Sequence, residues 1–466
     1  MRNKFIIGLL ALYTVSTGCE KDLDQRPIDQ VTEEVAFTTV AALQKGLNTA
    51  YARYSTARIN TVYASSLVSD ELKFGPNNGG SGQFGYRLQY GADNTSGSDV
   101  TAMFGSYYSA IDMINRILTI ADKMDLTGAD ATTRDYIKGQ LLALRAMSHF
   151  DLLQAYSENY NPSDPLGISV VLESCLDCYP GRNTVAEVIT QVEKDLEDAK
   201  ALMPAVTAAN YNDLALNPIS VTAFQARIAL YKSEWQKAAD LATTVINSNI
   251  KPLVSGTAFT GIWTDANTNE VLFRSRLELS AALGGLWTST NGNVIFSPSD
   301  KLTASYPAGD IRATTYIGTN TGGARYVKKF SLSSRGGSIV DLKAIRTVEM
   351  YLIRAEARAE LNDLLGAAND INSIRQNRIT GYTPMGAYPD KATAIADILL
   401  ERYRELAFEG FRFFDLKRRN LDVQRLASDV DSPLWQTLQA GNYRFVFPIP
   451  FDEILANPNM VQNDGY

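Results

Sequence analysis

Histidine is nearly absent from this chain, with His149 its single copy, and cysteine occurs only at Cys19, Cys175 and Cys178. A Ser-His-Asp arrangement therefore has one candidate base, and no cluster with zinc-ligand spacing can be assembled. No glycine loop of the phosphate-cradling kind occurs either. Cys175 and Cys178 enclose only Leu176 and Asp177. In an exported protein such a pair forms a local disulfide or stays as two thiols more readily than it holds a metal. His149 falls in a predicted helix just before Phe150, where a half-buried, hydrogen-bonded state is expected.

Basic residues are also in short supply. Lys and Arg number 44 against 51 Asp and Glu, so the net charge is −7, and losing Arg2 and Lys4 with a leader takes it from −7 to −9. That balance excludes a nucleic-acid binder. Long apolar runs are missing too, the first being Phe5 to Leu12, too short to span a bilayer. Arg2 and Lys4 precede it and Ser16-Thr17-Gly18-Cys19 follows, the layout of a secretory signal peptide. Small residues before the cysteine admit a peptidase and leave Cys19 as a new N-terminus whose thiol can be acylated. Several buried acyl chains, at about 0.8 kcal/mol per CH₂, anchor a protein firmly. Residues 1–18 are thus expected to be a leader, 19–35 a lipidated linker opening on the acidic run Glu20-Lys21-Asp22-Leu23-Asp24, and 36–466 the folded part.

What the chain does have is helical rhythm. Ile111, Ile114, Leu118 and Ala121 recur at steps that share one helix face, as do Ile137, Leu141, Leu144 and Met147. Val185, Val188, Val192, Leu196, Ala199 and Met203 follow Thr184-x-x-Glu187, a capping box. Two later segments resemble each other. Val221, Phe224, Ile228 and Tyr231 lead through Ser233-Glu234-Trp235 to Ala238, Ala242 and Val245. Ile345, Val348, Leu352, Ala355 and Ala359 lead through Asn362-Asp363 to Leu364, Ala368, Ile371 and Ile374. A helix, a tight turn and an antiparallel partner over about 34 residues is the tetratricopeptide plan, here degenerate and unevenly spaced. The expected fold is mainly α, with packed helix pairs, a few short strands and long irregular loops at about 60–100 and 251–340.

Those loops carry the chain's candidate binding groups. Aromatic content is 10 %, with Tyr 23 ahead of Phe 18, and long loops rich in aromatics are more often functional than disordered. The first loop holds Tyr86, Arg87, Tyr90 and Asn94, with Asp70 nearby; the second holds Trp287, Tyr306 and Tyr316. Aromatic faces stack on pyranose rings while amides and charges bond to hydroxyls, so these eight are the candidate ligand contacts. On that reading, replacing Trp287 or Tyr90 by alanine weakens binding and leaves the melting temperature unchanged.

The run Glu401-Arg402-Tyr403-Arg404-Glu405-Leu406-Ala407-Phe408-Glu409-Gly410-Phe411-Arg412-Phe413-Phe414-Asp415-Leu416-Lys417-Arg418 resembles the hallmark segment of the SusD/RagB family. The ending Pro448-Ile449-Pro450 through Gln462-Asn463-Asp464-Gly465-Tyr466 resembles that family's close, and Arg145-Ala146 with Phe150, Leu153 and Tyr156 resembles one of its helices. Physically, alternating charges at helical spacing in 401–418 point to ion pairs and not to catalysis. The resemblance implies an outer-membrane lipoprotein on the extracellular side, a lid over a SusC-like TonB-dependent barrel, binding an oligosaccharide or in some members a peptide. It implies neither a cofactor nor an enzymatic reaction. A helical exported glycosidase, using two carboxylates from anywhere in the chain, is the alternative of another class.

Overall fold

The computed structural model describes residues 38–277, 283–289, 291–336 and 339–466. The leader, Cys19 and the linker lie outside the described residues.

The described chain opens on a 29-residue helix, α1, Val40–Val68, capped by Thr39, whose side chain accepts from the Ala42 amide. Leu43, Leu47, Ala50, Tyr54, Ala57, Ala64 and Val68 form its buried stripe. The loop expected from about residue 60 therefore starts later, because α1 runs on through Asn60-Thr61-Val62-Tyr63-Ala64-Ser65-Ser66. Among the polar residues of α1, the Thr61 hydroxyl donates to the Ala57 carbonyl and Asn60 Nδ2 donates to Ser106 Oγ.

The predicted helices follow. They are α3, Ser98–Lys123, α4, Gly128–Tyr156, and α5, Val185–Leu202, preceded by a short helix, α2, Gln83–Tyr86, inside the expected loop. Thr184 and Glu187 form the expected capping box at the start of α5. α3 packs on α1 and on α4, and α4 packs on α5. Next come α6, Pro218–Tyr231, and α7, Trp235–Asn247, then, after a stretch of short elements, α11, Thr347–Glu360, and α12, Leu364–Arg378. The two similar segments turn alike. Ser233 and Asn362 both adopt a left-handed backbone, φ 60° and 64°, and each is followed by an amide that reaches back five residues. α7 then packs against α11, which joins the pairs into one stack. Ile345 departs from expectation: it lies in a strand just before α11.

The region 251–340 is not irregular where it is described. It contains α8, Gly256–Ile262, α9, Asp300–Ser305, and α10, Ile311–Tyr316. Its strands pair with neighbours and with distant segments. β1, Leu72–Phe74, pairs with β3, Phe296–Pro298; β2, Val271–Ser275, with β6, Leu342–Arg346; and β4, Ile317–Thr319, with β5, Arg325–Val327. All three pairs are antiparallel. The C-terminal part holds α13, Lys391–Glu405, α14, Arg412–Arg418, the pair β7, Val423–Gln424, and β8, Thr437–Leu438, and α15, Phe451–Ala456.

The charged run 401–418 closes the core as ion pairs. Glu405 meets Arg312 at 3.1 Å, Arg346 at 3.0 Å and Arg378 at 3.0 Å, with all four side chains sealed from solvent. Arg402 pairs with Asp415, and Arg418 with Glu356 and Asp415. A buried carboxylate survives only with such partners, and three guanidinium groups hold Glu405 well below the ordinary carboxylate range against the opposing effect of burial.

Candidate functional site

The eight candidates divide sharply. Asp70 is fully buried, and Arg412 grips it through Nε at 2.7 Å and Nη2 at 2.8 Å while Lys301 adds a third contact at 2.7 Å. Burial alone would raise its pKa, but these cations outweigh that and hold it at about 2. It is a structural anion and does not face solvent.

Tyr86, Tyr90, Tyr306 and Tyr316 are buried as well. Each hydroxyl donates to a main-chain carbonyl, of Asp429, Arg444, Arg404 and Glu405 respectively. Trp287 is fully enclosed, with Tyr63, Phe296 and Phe408 around it at centroid distances of 6.1, 6.3 and 6.4 Å. All five expected binding rings and the one expected carboxylate are thus core material. The tyrosines fit there because each phenol brings its own hydrogen bond into the interior. A sealed ring cannot stack on a sugar, so the expectation that Trp287 and Tyr90 act without supporting stability is corrected. Asn94 is exposed, at the far end of the same loop, and donates to Asp452 at 3.0 Å.

Arg87 remains, and the structure gives it neighbours that the sequence did not. Its guanidinium lies 4.6 Å from the Trp435 ring centroid and 5.9 Å from that of Phe74, and it donates to Gln83 Oε1 at 3.2 Å. Phe74 and Trp435 are both half-buried. The platform is held from behind: the Phe74 ring sits 4.3 Å from Tyr86, and Arg425 donates to the Trp435 carbonyl at 3.0 Å. Beside it, Asp300 bridges Lys73 at 2.8 Å and Arg325 at 3.1 Å. Leu434, 83 % exposed, extends the apolar edge. Flat apolar faces beside a planar cation and a partly buried carboxylate can stack on a ring and bond its substituents. Trp435 had one sequence signal, its place after Ser432-Pro433-Leu434 in a turn, but it lies far along the chain from the loop it joins.

A second concavity, of about 610 Å³, lies where the 158–166 connection, the α6–α7 turn, α14 and the C-terminal tail meet. Among the described residues no group of histidine, cysteine and carboxylate side chains is placed to hold a metal ion, and no helix is long and apolar enough to cross a membrane. His149 is fully buried, not half-buried; burial pushes its pKa down to about 3, and its Nε2 accepts from the Val171 amide at 3.2 Å.

Comparison with known proteins adds the lineage. Residues 284–466 match the model of the SusD family, and residues 23–230 match a model described as starch-binding associating with outer membrane. The chain belongs to the SusD/RagB family. SusD-like protein P2 of Formosa agariphila is 23% identical over 99% of this chain and 100% of its own, and SusD-like protein P38 of the same organism is 25% identical over 70% and 73%. A SusD superfamily protein from Bacteroides thetaiotaomicron VPI-5482 superposes with a TM-score of 0.78, is 24% identical, and is matched over 91% of this chain and 99% of its own. A SusD superfamily protein from Bacteroides vulgatus ATCC 8482 gives 0.79 at 22% identity, over 92% and 100%. These likenesses support the mainly α SusD-like fold described above.

Proposed function

We propose that this SusD-family chain is a lipid-anchored glycan-binding protein of the outer membrane that takes up an oligosaccharide at the Phe74–Arg87–Trp435 platform and passes it to a SusC-like TonB-dependent barrel. The observation that carries the binding reading is the stack of Arg87 on half-buried Trp435, 4.6 Å apart, beside Phe74. The two groups meet face to face and not through a polar bridge, since Arg87 Nε and Trp435 Nε1, both sealed from solvent, make no hydrogen bond within the protein. The family description of starch binding at the outer membrane supports the ligand class, and the leader ending at Cys19 supports the anchor.

Titrating the purified protein with a panel of neutral and acidic oligosaccharides tests this. At least one should bind, with affinity falling tenfold or more in Trp435→Ala and no reducing sugar released. Hydrolysis would place the chain among glycosidases, and binding of peptides alone would move it to a peptide-capturing role. Co-purification of a barrel with the chain tests the delivery step.

A further inference from the structure

The 610 Å³ cleft shares no residue with the Trp435 platform, and its volume lies in the range of small-ligand sites, about 300–1,000 Å³. Its polar lining has a consistent feature. Asn159, Asn161 and Asn442 each spend the side-chain Oδ1 on a nearby main-chain amide, of Asn161, Ser163 and Arg444 respectively. That bond fixes the amide plane and leaves each Nδ2 without a partner. Asn420, held in a left-handed turn at φ 50°, adds an amide that bonds to no other side chain. On the floor, Lys417 Nζ donates to the Gln154 carbonyl at 2.8 Å and to that of Ser157, pairs with no carboxylate, and has a third N–H left over. The side wall is aromatic, with Tyr160 and Tyr231 packed edge to face, 5.4 Å between centroids, and Tyr443 at the rim.

We infer that this cleft is a second glycan site, built for a neutral oligosaccharide whose hydroxyls accept from the asparagine amides and the Lys417 ammonium. The charge balance selects neutral over acidic sugars. Arg418 is committed to Glu356 and Asp415, and Lys232 to Glu193 and Glu234, which leaves Lys417 facing Glu158, Asp164 and Asp464. A uronic acid entering there meets an excess of negative charge, whereas a hydroxyl can also donate to those carboxylates. Fixed amides with uncommitted donors cost little ordering when a ligand arrives, which favours binding by preorganisation.

Calorimetric titration separates this site from the platform. Maltohexaose, cellohexaose, xylohexaose and oligogalacturonate are titrated into the wild type, into Trp435→Ala and into the double variant Asn161→Ala/Asn420→Ala. For at least one neutral hexaose, the double variant should lose tenfold or more in affinity while Trp435→Ala keeps a site of unchanged affinity. Both asparagines are on surface turns, so the melting temperature should hold, and Asn442→Ala serves as a further variant if the double one does not fold. Unchanged binding of every probe in the cleft variants overturns the inference whatever Trp435→Ala does. So does finding no probe bound to Trp435→Ala, or oligogalacturonate as the only ligand of the cleft.

Discussion

Arg346 and Glu405 face each other at 3.0 Å with both side chains sealed from solvent, although 59 residues separate them. The contact fastens the end of β6 to the end of α13, and Arg312 and Arg378 complete the shell around the same carboxylate. Replacing Glu405 by Gln removes the one carboxylate that the three buried guanidinium groups share, leaving Arg312 with Asp310 and Glu401, Arg346 with Glu409, and Arg378 with Glu270. Loss of one partner of a buried pair costs about 3–5 kcal/mol, because the remaining charge stays desolvated. Chemical denaturation of Glu405→Gln should show a loss of that size. A loss under about 1 kcal/mol would mean that water or other groups already satisfy these arginines.

Glu71 is buried beside this network, accepting from the Phe408 amide at 2.9 Å. Burial pushes its pKa up to about 7, with adjacent Asp70 adding to the rise. In the unfolded chain the carboxyl ionises near 4.5, so between pH 4.5 and 7 the folded state keeps a proton that the unfolded state has released. Stability from this group is therefore present at low pH and falls as pH rises through that window, with a slope approaching about 1.4 kcal/mol per pH unit. Glu71→Gln should flatten the difference in urea midpoint between pH 5 and pH 7. Parallel wild-type and variant curves would show that Glu71 is already ionised when folded.

The rings of Trp287 and Trp435 should separate stability from binding. Trp287→Ala opens a cavity among Tyr63, Phe296 and Phe408 and should cost about 3–5 kcal/mol. Trp435→Ala, at a half-buried position, should leave the melting temperature within a few degrees and weaken glycan binding. Thermal melts and calorimetry on both variants check this, and a stable Trp287→Ala protein would return that ring to the candidate site.

How much of this was legible in the sequence follows from which contacts are local. The helix pairs were legible because stripes such as Val185, Val188, Val192 and Leu196 repeat within one element. The charged run read correctly as ion pairs, but Arg312, Arg346 and Arg378 come from three distant elements and carry no spacing signal. The loop tyrosines misled for a related reason. Tyr86, Tyr90, Tyr306 and Tyr316 donate to the carbonyls of Asp429, Arg444, Arg404 and Glu405, all in the C-terminal part, so they pin that part to the loops. Composition cannot distinguish a phenol that bonds to a carbonyl inside from one that meets a sugar outside. Arg87 was named, yet its partner Trp435 lies in another turn that only folding brings near.

The disulfide between Cys175 and Cys178 should matter little to the fold. A crosslink stabilises chiefly by restricting the unfolded chain, and a loop this short gives about 2 kcal/mol at most, below the about 3 kcal/mol of a 15-residue loop. The segment around it is fastened independently. Ser174 Oγ donates to Asp112 at 2.6 Å on one side, and on the other Asn459 Nδ2 donates to the Tyr179 carbonyl at 2.7 Å and Asn457 Nδ2 to that of Pro180 at 3.0 Å. The bridge instead shapes a protruding tip where Leu176 is 91 % exposed and Tyr179 52 % exposed. Cys175→Ser/Cys178→Ser should therefore keep the helical circular dichroism signal and lower the melting temperature by only a few degrees, with hydrogen exchange quickening at residues 174–179. A cooperative loss of helix in that variant would show that the tip's closure is required for α3, α4 and the tail to dock.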